Sequence, residues 1–429
     1  MCDSFVALPG ATRDGSALFA KSADTEINEA QELILRPARA YPEGAGLRVT
    51  HRVIAQARET HEVLLDKSFW LWGAEAGVNA HGFAGGNEAV FTTARAEPET
   101  GVISGDLLRL MLERARDCDQ AITAMAEVLG EHGQGGNCEL RGNAHFDSSF
   151  LIADTRRAFV IDTAGRDWAA REIEGFGSIS NMLSIGDDWS RASIAPENGE
   201  RVDFKDAFTD PEPVPGLGCR ERQAVTHGLL EAKNGDLTVK DFADILRHHG
   251  DGYDPALGAV HRNICMHAGP FENRYWQATG ALITEASERG CMAWATATSG
   301  TCLSIFKPVF FGVPLPDIGS APRETEVPDS LWWRHERLHR RAMAAFDALR
   351  PEIQADFEAL EARFFAEGPG LLGARDSERR EFVEECWRLA DERTGRWIAR
   401  LEQRRWSFAE PAYGAMWERF NAAAAFSIE

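Results

Sequence analysis

A cysteine stands at position 2, and removal of Met1 would make it a leading residue bearing both a thiol and a free α-amine. Unperturbed, the amine titrates at about 7.7–8.0 and the thiol at about 8.5, both close to working pH. A terminal amine of this kind can act as the base that activates its own side chain. Nucleophilic attack on an amide further needs donors for the oxyanion and a charge that tunes the nucleophile. The segment A-K-S-A-D offers Lys21 and Asp24 for tuning: the cation favours thiolate, and the carboxylate orients the ammonium or takes its proton. Asn87, after Gly85-Gly86, and Asn181, within S-I-S-N-M, offer side-chain amides to an oxyanion. Taken singly, each has a plainer reading, Lys21–Asp24 as a surface pair and Asn87 as a turn residue.

These residues need elements that bring them together. Phe5 to Leu8 is a short apolar run closed by Pro9-Gly10, Asp14-Gly15 is a turn signal, and Ala17 to Lys21 is a second run. The pattern predicts an initial β-hairpin with Cys2 at the open end of its first strand and Lys21 and Asp24 across the ladder. Further strands are expected at 82–89, 149–153, 158–163, 177–181, 280–284, 292–297 and 303–311. Helical spacing follows Ser104, a candidate N-cap, through Leu107, Leu110 and Met111. A second helix is expected from Asp119, and 190–220 reads as a polar loop. Strands in both halves with helices between them indicate an α+β layered architecture. Beyond Pro314 a linker leads to apolar stripes of helical period, Phe346, Leu349, Ile353, Phe357, Leu360 and Phe364, then Val383, Cys386, Leu389, Trp397 and Leu401. Pro351 predicts a kink or two abutting helices. The expected division is a layered α+β domain over 1–313 and a helical extension over 326–429, its default role packing or dimerisation.

The opening CDSFVALPGATRDGSALFAKSADTEINEAQE resembles that of the secernins and the related bacterial dipeptidases of the C69 peptidase family. The resemblance continues through WLWGAEAGVNAHGFAGGNEAV, HGQGGN (132–137), NICMHAG (263–269) and WATATSGTCLSIFKP (294–308). It implies an N-terminal nucleophile hydrolase fold, a four-layer αββα sandwich with the nucleophile at the start of an inner strand. It also implies cleavage of amide bonds, typically in dipeptides, through a thioester to the leading cysteine. By similarity to this family and to the bile-salt and penicillin-V acylases of the same superfamily, Cys2 matches the nucleophile and base, and Asp24 the acidic residue near the amine. Lys21 matches the basic residue beside the thiol, and Asn87 and Asn181 the polar residues at the oxyanion. Arg220, in G-C-R-E-R, is matched to a further active-site arginine, with Arg222 competing for the role. One departure stands out: many members carry Asn where this chain has Ser22, which bears on specificity or activity if that Asn positions substrate.

Composition bounds the alternatives. The 429 residues carry a formal charge of −21, the wrong sign for a nucleic-acid groove. No run approaches the ~18 apolar residues of a membrane span. The first residues lack a basic and apolar leader. Eight scattered cysteines without a C-x-x-C pair suit reduced thiols. The expectation is a cytoplasmic hydrolase of small peptides or acyl amides, with no nucleic acid, membrane or cofactor involved and homo-oligomers allowed by the apolar tail. Rival readings are a secernin-like protein with little activity and an acylase of larger amides. Trp72 is expected to line a pocket, and His267 to be a structural or pocket residue. His248, His249, Asp251, His261, Cys265 and His267 are dense in ligand types, but their spacings match no zinc pattern, so no metal is expected. The other seven cysteines are expected to be buried thiols.

Overall fold

A computed structural model describes all residues except 95, 98–100, 197–198, 212–217, 258–262, 271–274 and 428–429; His261 therefore lies outside the described residues. Two antiparallel sheets form the centre. The six-stranded sheet runs, edge to edge, Phe176–Ile179, Asp3–Ala7, Ala17–Glu26, Trp276–Ser287, Gly290–Ala295 and Lys307–Phe310. The eight-stranded sheet runs Arg191–Ala192, Asp167–Ile173, Ala158–Ala164, Asp147–Ala153, Ala84–Val90, Ala76–Asn79, Val63–Ser68 and Gln31–Arg36. Strands Asp3–Ala7 and Ala17–Glu26 pack on Ala84–Val90, so the sheets face one another. Helices Ser104–Arg114 and Cys118–His132 cover the outer face of the eight-stranded sheet; Cys219–Glu231 and Val239–Leu246 cover that of the six-stranded sheet. The expected αββα order is thus present.

The initial hairpin is present, with Asp3 opposite Ser22 and Ser4 opposite Lys21. Its second strand is longer than the apolar run predicts and reaches Glu26. Nine of its ten residues are buried, Lys21, Ser22 and Asp24 among them. A strand with both faces covered loses the polar–apolar alternation by which an exposed strand is recognised. Gly86 serves this packing: a Cβ there would lie 2.4 Å from Lys21 Cδ and 2.8 Å from Ser4 Oγ, so the missing side chain leaves room for the lysine to cross between sheets.

Three local expectations are corrected. Ile103, not Ser104, is the N-cap of the first helix, and no side chain caps it. The loop expected over 190–220 contains the short strand Arg191–Ala192, the helix Phe204–Phe208 and the start of helix Cys219–Glu231. Pro351 lies inside one continuous helix, Phe346–Glu367, so two helices do not abut there; it is the sixth residue, and its missing N–H and ring fall against the carbonyl of Asp347 in the first turn.

The chain after the linker packs on the six-stranded sheet and shares its apolar core. Leu338, Phe346, Ile353, Phe364 and Trp417 belong to the same buried cluster as Phe5, Phe19 and Trp294. Ser330 caps helix Leu331–Met343 by accepting from the Trp333 N–H. Trp332 Nε1 donates to the Thr279 carbonyl at 3.1 Å, and Trp387 Nε1 to the Pro308 carbonyl at 2.9 Å. Arg247 forms a bidentate pair with Glu361, at 2.8 and 2.6 Å, buried on both sides.

Candidate active site

The hairpin brings Cys2 beside Asp24. The Asp24 backbone N–H donates to Cys2 Sγ at 3.5 Å, and Cys2 is 6% exposed, on the wall of a cavity of about 140 Å³. The Cys2 N–H donates to Asn181 Oδ1 at 2.8 Å. The Met1 ammonium donates to the Asp24 carbonyl at 3.1 Å, and Met1 lines the same cavity. Both reactive atoms of Cys2 are therefore held by named partners.

Lys21 passes between the sheets, where Nζ donates to the Asn87 carbonyl at 2.6 Å and lies 3.4 Å from Glu88 Oε1. Glu88 also accepts from Ser4 Oγ at 2.5 Å. Burial works against the Lys21 charge, yet Cys2, Glu88 and Glu75 outweigh it, and the lysine is held protonated. Burial raises the Cys2 thiol above its ordinary value, with Lys21 the largest opposing influence and the ammonium the next. Lys21 is thus the group that most favours thiolate. Burial pushes the Asp24 carboxyl up to about 7, opposed by the ammonium. Ser22 Oγ donates to Asp24 Oδ1 at 2.7 Å, so the residue that replaces the expected Asn orients the carboxylate.

Asn87 lines the cavity. In the orientation that satisfies its neighbours, its amide donates to the Glu75 carbonyl and accepts from the Gly105 N–H, each at 3.2 Å. Asn181 presents its carbonyl, not its amide N–H, to Cys2, because Nδ2 donates to the Ala89 carbonyl at 3.0 Å. In this arrangement it positions the Cys2 nitrogen, with one of its two amide hydrogens committed to Ala89.

The three expected substrate contacts lie elsewhere. Trp72 is outside the cavity lining and packs under the Arg109 guanidinium, 4.1 Å from the ring centre. Arg220 is exposed on its helix. One turn geometry explains the exchange: two residues on, the helix turns Arg222 inward, where it is fully buried and donates to Asp3 Oδ2, Ser180 Oγ and Asn181 Oδ1, all at 2.8 Å. His267 belongs to another cluster, with Cys265 and Cys302.

Sequence reasoning missed the acidity of the cavity. Glu26, Glu29, Glu75 and Glu139 line it together with Asp24. Glu29 accepts from Ser68 Oγ at 2.6 Å and Trp70 Nε1 at 2.8 Å, yet burial pushes it up to about 7. Glu26 and Glu29 closely follow Asp24 in the chain, whereas Glu75 and Glu139 come from distant segments, and no spacing announces those two. Cys138 also lines the cavity and, like Cys219, is only half-buried, so those two depart from the expectation of buried thiols. Cys138 directly follows the HGQGGN block, the one signal that pointed to its neighbourhood.

No protein-family model matches the chain. A cysteine-to-alanine variant of conjugated bile acid hydrolase from Clostridium perfringens overlaps it with TM-score 0.44 at 12% identity, over 69% of this chain and 88% of that one. An arginine-to-leucine variant of the same hydrolase gives 0.44 at 15%, over 68% and 88%. The Caenorhabditis elegans orthologue of N-acylethanolamine-hydrolyzing acid amidase gives 0.36 at 11%, over 66% and 92%. With these overlaps all below 0.5, the layer order rests on the strand registers and packing described above.

Proposed function

We propose that the protein is an N-terminal-cysteine amide hydrolase acting on small peptides with a free amino group, a dipeptidase of the kind the secernin and C69 resemblance implies. The observation that carries this reading is the placement of Cys2, whose nitrogen and sulfur are each held at the wall of an acidic cavity with Lys21 behind the thiol. Removal of Met1 enlarges the cavity it lines and frees the Cys2 amine, which stays within reach of Asn181 Oδ1.

In the proposed reaction the amine takes the thiol proton and the sulfur attacks the substrate carbonyl, whose electron pair moves onto oxygen. Asn87 turns its amide from the Glu75 carbonyl to that oxygen. The intermediate collapses, the Cys2 ammonium passes its proton to the leaving nitrogen, and a thioester remains. Water, deprotonated by the same amine, then releases the acid and restores the thiol. Asp24, oriented by Ser22, faces the ammonium during the cycle.

The acidic lining favours dipeptides over N-acyl amides. Buried carboxylates facing an unfilled cavity are costly when ionised, and a cationic ligand removes that cost. A substrate ammonium paired with Glu29, Glu75 or Asp24 supplies the cation; an acyl group does not. The test is a release assay with dipeptides and their N-acetylated counterparts, run beside Cys2→Ala, with the N-terminal mass measured. The expected result is loss of Met1, cleavage of free dipeptides only, and no turnover in the variant. Retention of Met1 in an active enzyme, or activity in Cys2→Ala, overturns the mechanism; preferential cleavage of acetylated substrates overturns the assigned substrate class.

A further inference from the structure

A second group of thiols lies behind the six-stranded sheet, apart from the Cys2 cavity. His249, Cys265, His267 and Cys302 each turn one ligand atom inward, and these four atoms lie within 4.8 Å of one another. The last three residues are buried and His249 is half-buried. Their origins are separate. His249 follows helix Val239–Leu246, Cys265 and His267 flank Met266 in the segment before strand Trp276–Ser287, and Cys302 lies in the turn Thr301–Leu303. The chain positions match no compact zinc motif because three segments supply the ligands.

We propose that these four side chains form a closed Cys2His2 site for a divalent zinc ion. The donor set suits zinc: two thiolates and two imidazoles arranged tetrahedrally are a structural zinc environment. The edges suit it as well. With zinc–sulfur and zinc–nitrogen bonds of about 2.3 and 2.0–2.1 Å, a tetrahedron has a sulfur–nitrogen edge of roughly 3.5 Å. His267 Nε2 lies 3.6 Å from Cys265 Sγ and 3.4 Å from Cys302 Sγ. Small movements of His249 and the sulfurs close the longer edges. Binding displaces the two thiol protons to solvent, and Zn²⁺ with two thiolates is neutral overall, which suits a buried site. Nε2 of His249 and Nδ1 of His267 have no hydrogen-bond partner among the described residues, so the rings are held mainly by packing. Phe346 meets the His267 ring edge-on with centroids 4.8 Å apart, while His249 and His339 stack on it at 5.4 and 5.9 Å. All four coordination positions are filled by protein, so the role is structural, with no place for a catalytic water.

The location gives that role a consequence. The Ala278 N–H donates to the Met266 carbonyl, and the Gly300 N–H to the Ala278 carbonyl, both at 2.8 Å. Ala278 is the register partner of Asp24, beside the irregularity at Ala278/Gly280. A metal joining the 265–267 segment to Cys302 therefore clamps both sides of the residue that backs Asp24. Phe346, packed on the His267 ring, brings helix Phe346–Glu367 against the same cluster.

The test uses the full-length chain produced with zinc in the medium, with metal content measured after purification. About one zinc per chain is expected, falling below roughly a tenth in Cys265→Ser or Cys302→Ser and unchanged in Cys2→Ala and Cys138→Ser. Should the serine variants fail to fold, His249→Ala at the half-buried rim and the wild-type chain stripped of metal and titrated with cobalt provide the readout. Cobalt is expected to give thiolate charge-transfer absorption and the strong visible bands of a tetrahedral site, and zinc to raise the Tm of the stripped protein by ~5 °C or more. The proposal is overturned if stripped protein takes up neither ion, if Cys2→Ala loses the metal equally, or if Cys265 and Cys302 are recovered joined by a disulfide.

Discussion

The molecule holds two thiol sites whose surroundings differ in one respect that decides their chemistry. Cys2 lies at the wall of a cavity with Lys21, the cation that most favours its thiolate, behind it and carboxylates lining the space in front. Cys265 and Cys302 are enclosed by imidazoles, with rings packed over them. A thiol facing space beside a cation is arranged to attack; thiols that face one another across imidazoles are arranged to hold an ion. The lesson is that burial alone does not sort cysteines, since Cys2, Cys265 and Cys302 are all buried. What each sulfur faces does.

The sharpest way to break the contrast is Cys2→Ala. It is expected to remove turnover by ~10³-fold or more while leaving the Tm nearly unchanged, because the methyl group keeps the strand packed. Steady-state kinetics and a thermal melt check both halves.

Next in size, Lys21→Met removes the cation that most favours thiolate. The kcat/KM is expected to fall ~10²-fold, and alkylation of Cys2, followed on its own peptide by mass spectrometry, to require higher pH. The paired loss of a buried charge also lowers stability, by about 3 kcal/mol. An unchanged alkylation profile would detach the lysine from the thiol.

A third outcome concerns pH. Asp24 and Glu29, both pushed up to about 7 by burial, bind protons in the folded state that they release at about pH 4 when unfolded. The folded state therefore holds more protons over that window. The stability these groups contribute is fully present below about pH 4 and is lost as pH rises through about 7. A cationic substrate reverses the preference, so KM for dipeptides is expected to fall across the same upper range. Melts and KM values measured from about pH 5 to 8 test both signs; flat profiles would separate the carboxylates from the site.

The smallest effect is at Ser22. Ser22→Ala removes a 2.7 Å hydrogen bond to Asp24 and is expected to cost a few-fold in kcat, near 1 kcal/mol in free-energy terms. Ser22→Asn, which restores a polar group, is expected to recover most of it. Equal rates in all three would leave Ser22 a packing residue.

Much of the fold was legible from local signals. The initial hairpin, the strands of the six-stranded sheet, three strands of the eight-stranded one (Ala84–Val90, Asp147–Ala153 and Ala158–Ala164) and the two long tail helices follow from apolar runs, turn residues and helical spacing that depend on near neighbours. Lys21 and Asp24 were legible as candidates because a hairpin sets their places relative to Cys2. Arg222 was legible only as a rival to Arg220: both sit in one short motif, and which of them faces inward depends on how the helix is rotated against the sheet.

The sequence by itself determined the layered α+β architecture, the hairpin that seats Cys2, and the residue types available for thiol chemistry, because these rest on periodicity and short-range pairing. Only the tertiary structure decided what each group faces. It turned the Asn181 carbonyl toward Cys2, gathered Glu29, Glu75 and Glu139 from distant segments into one cavity, and drew His249, Cys265, His267 and Cys302 together. Charge and ligand geometry depend on distances of a few ångströms between segments far apart in the chain, and those distances are set by packing between sheets and helices rather than by any local pattern.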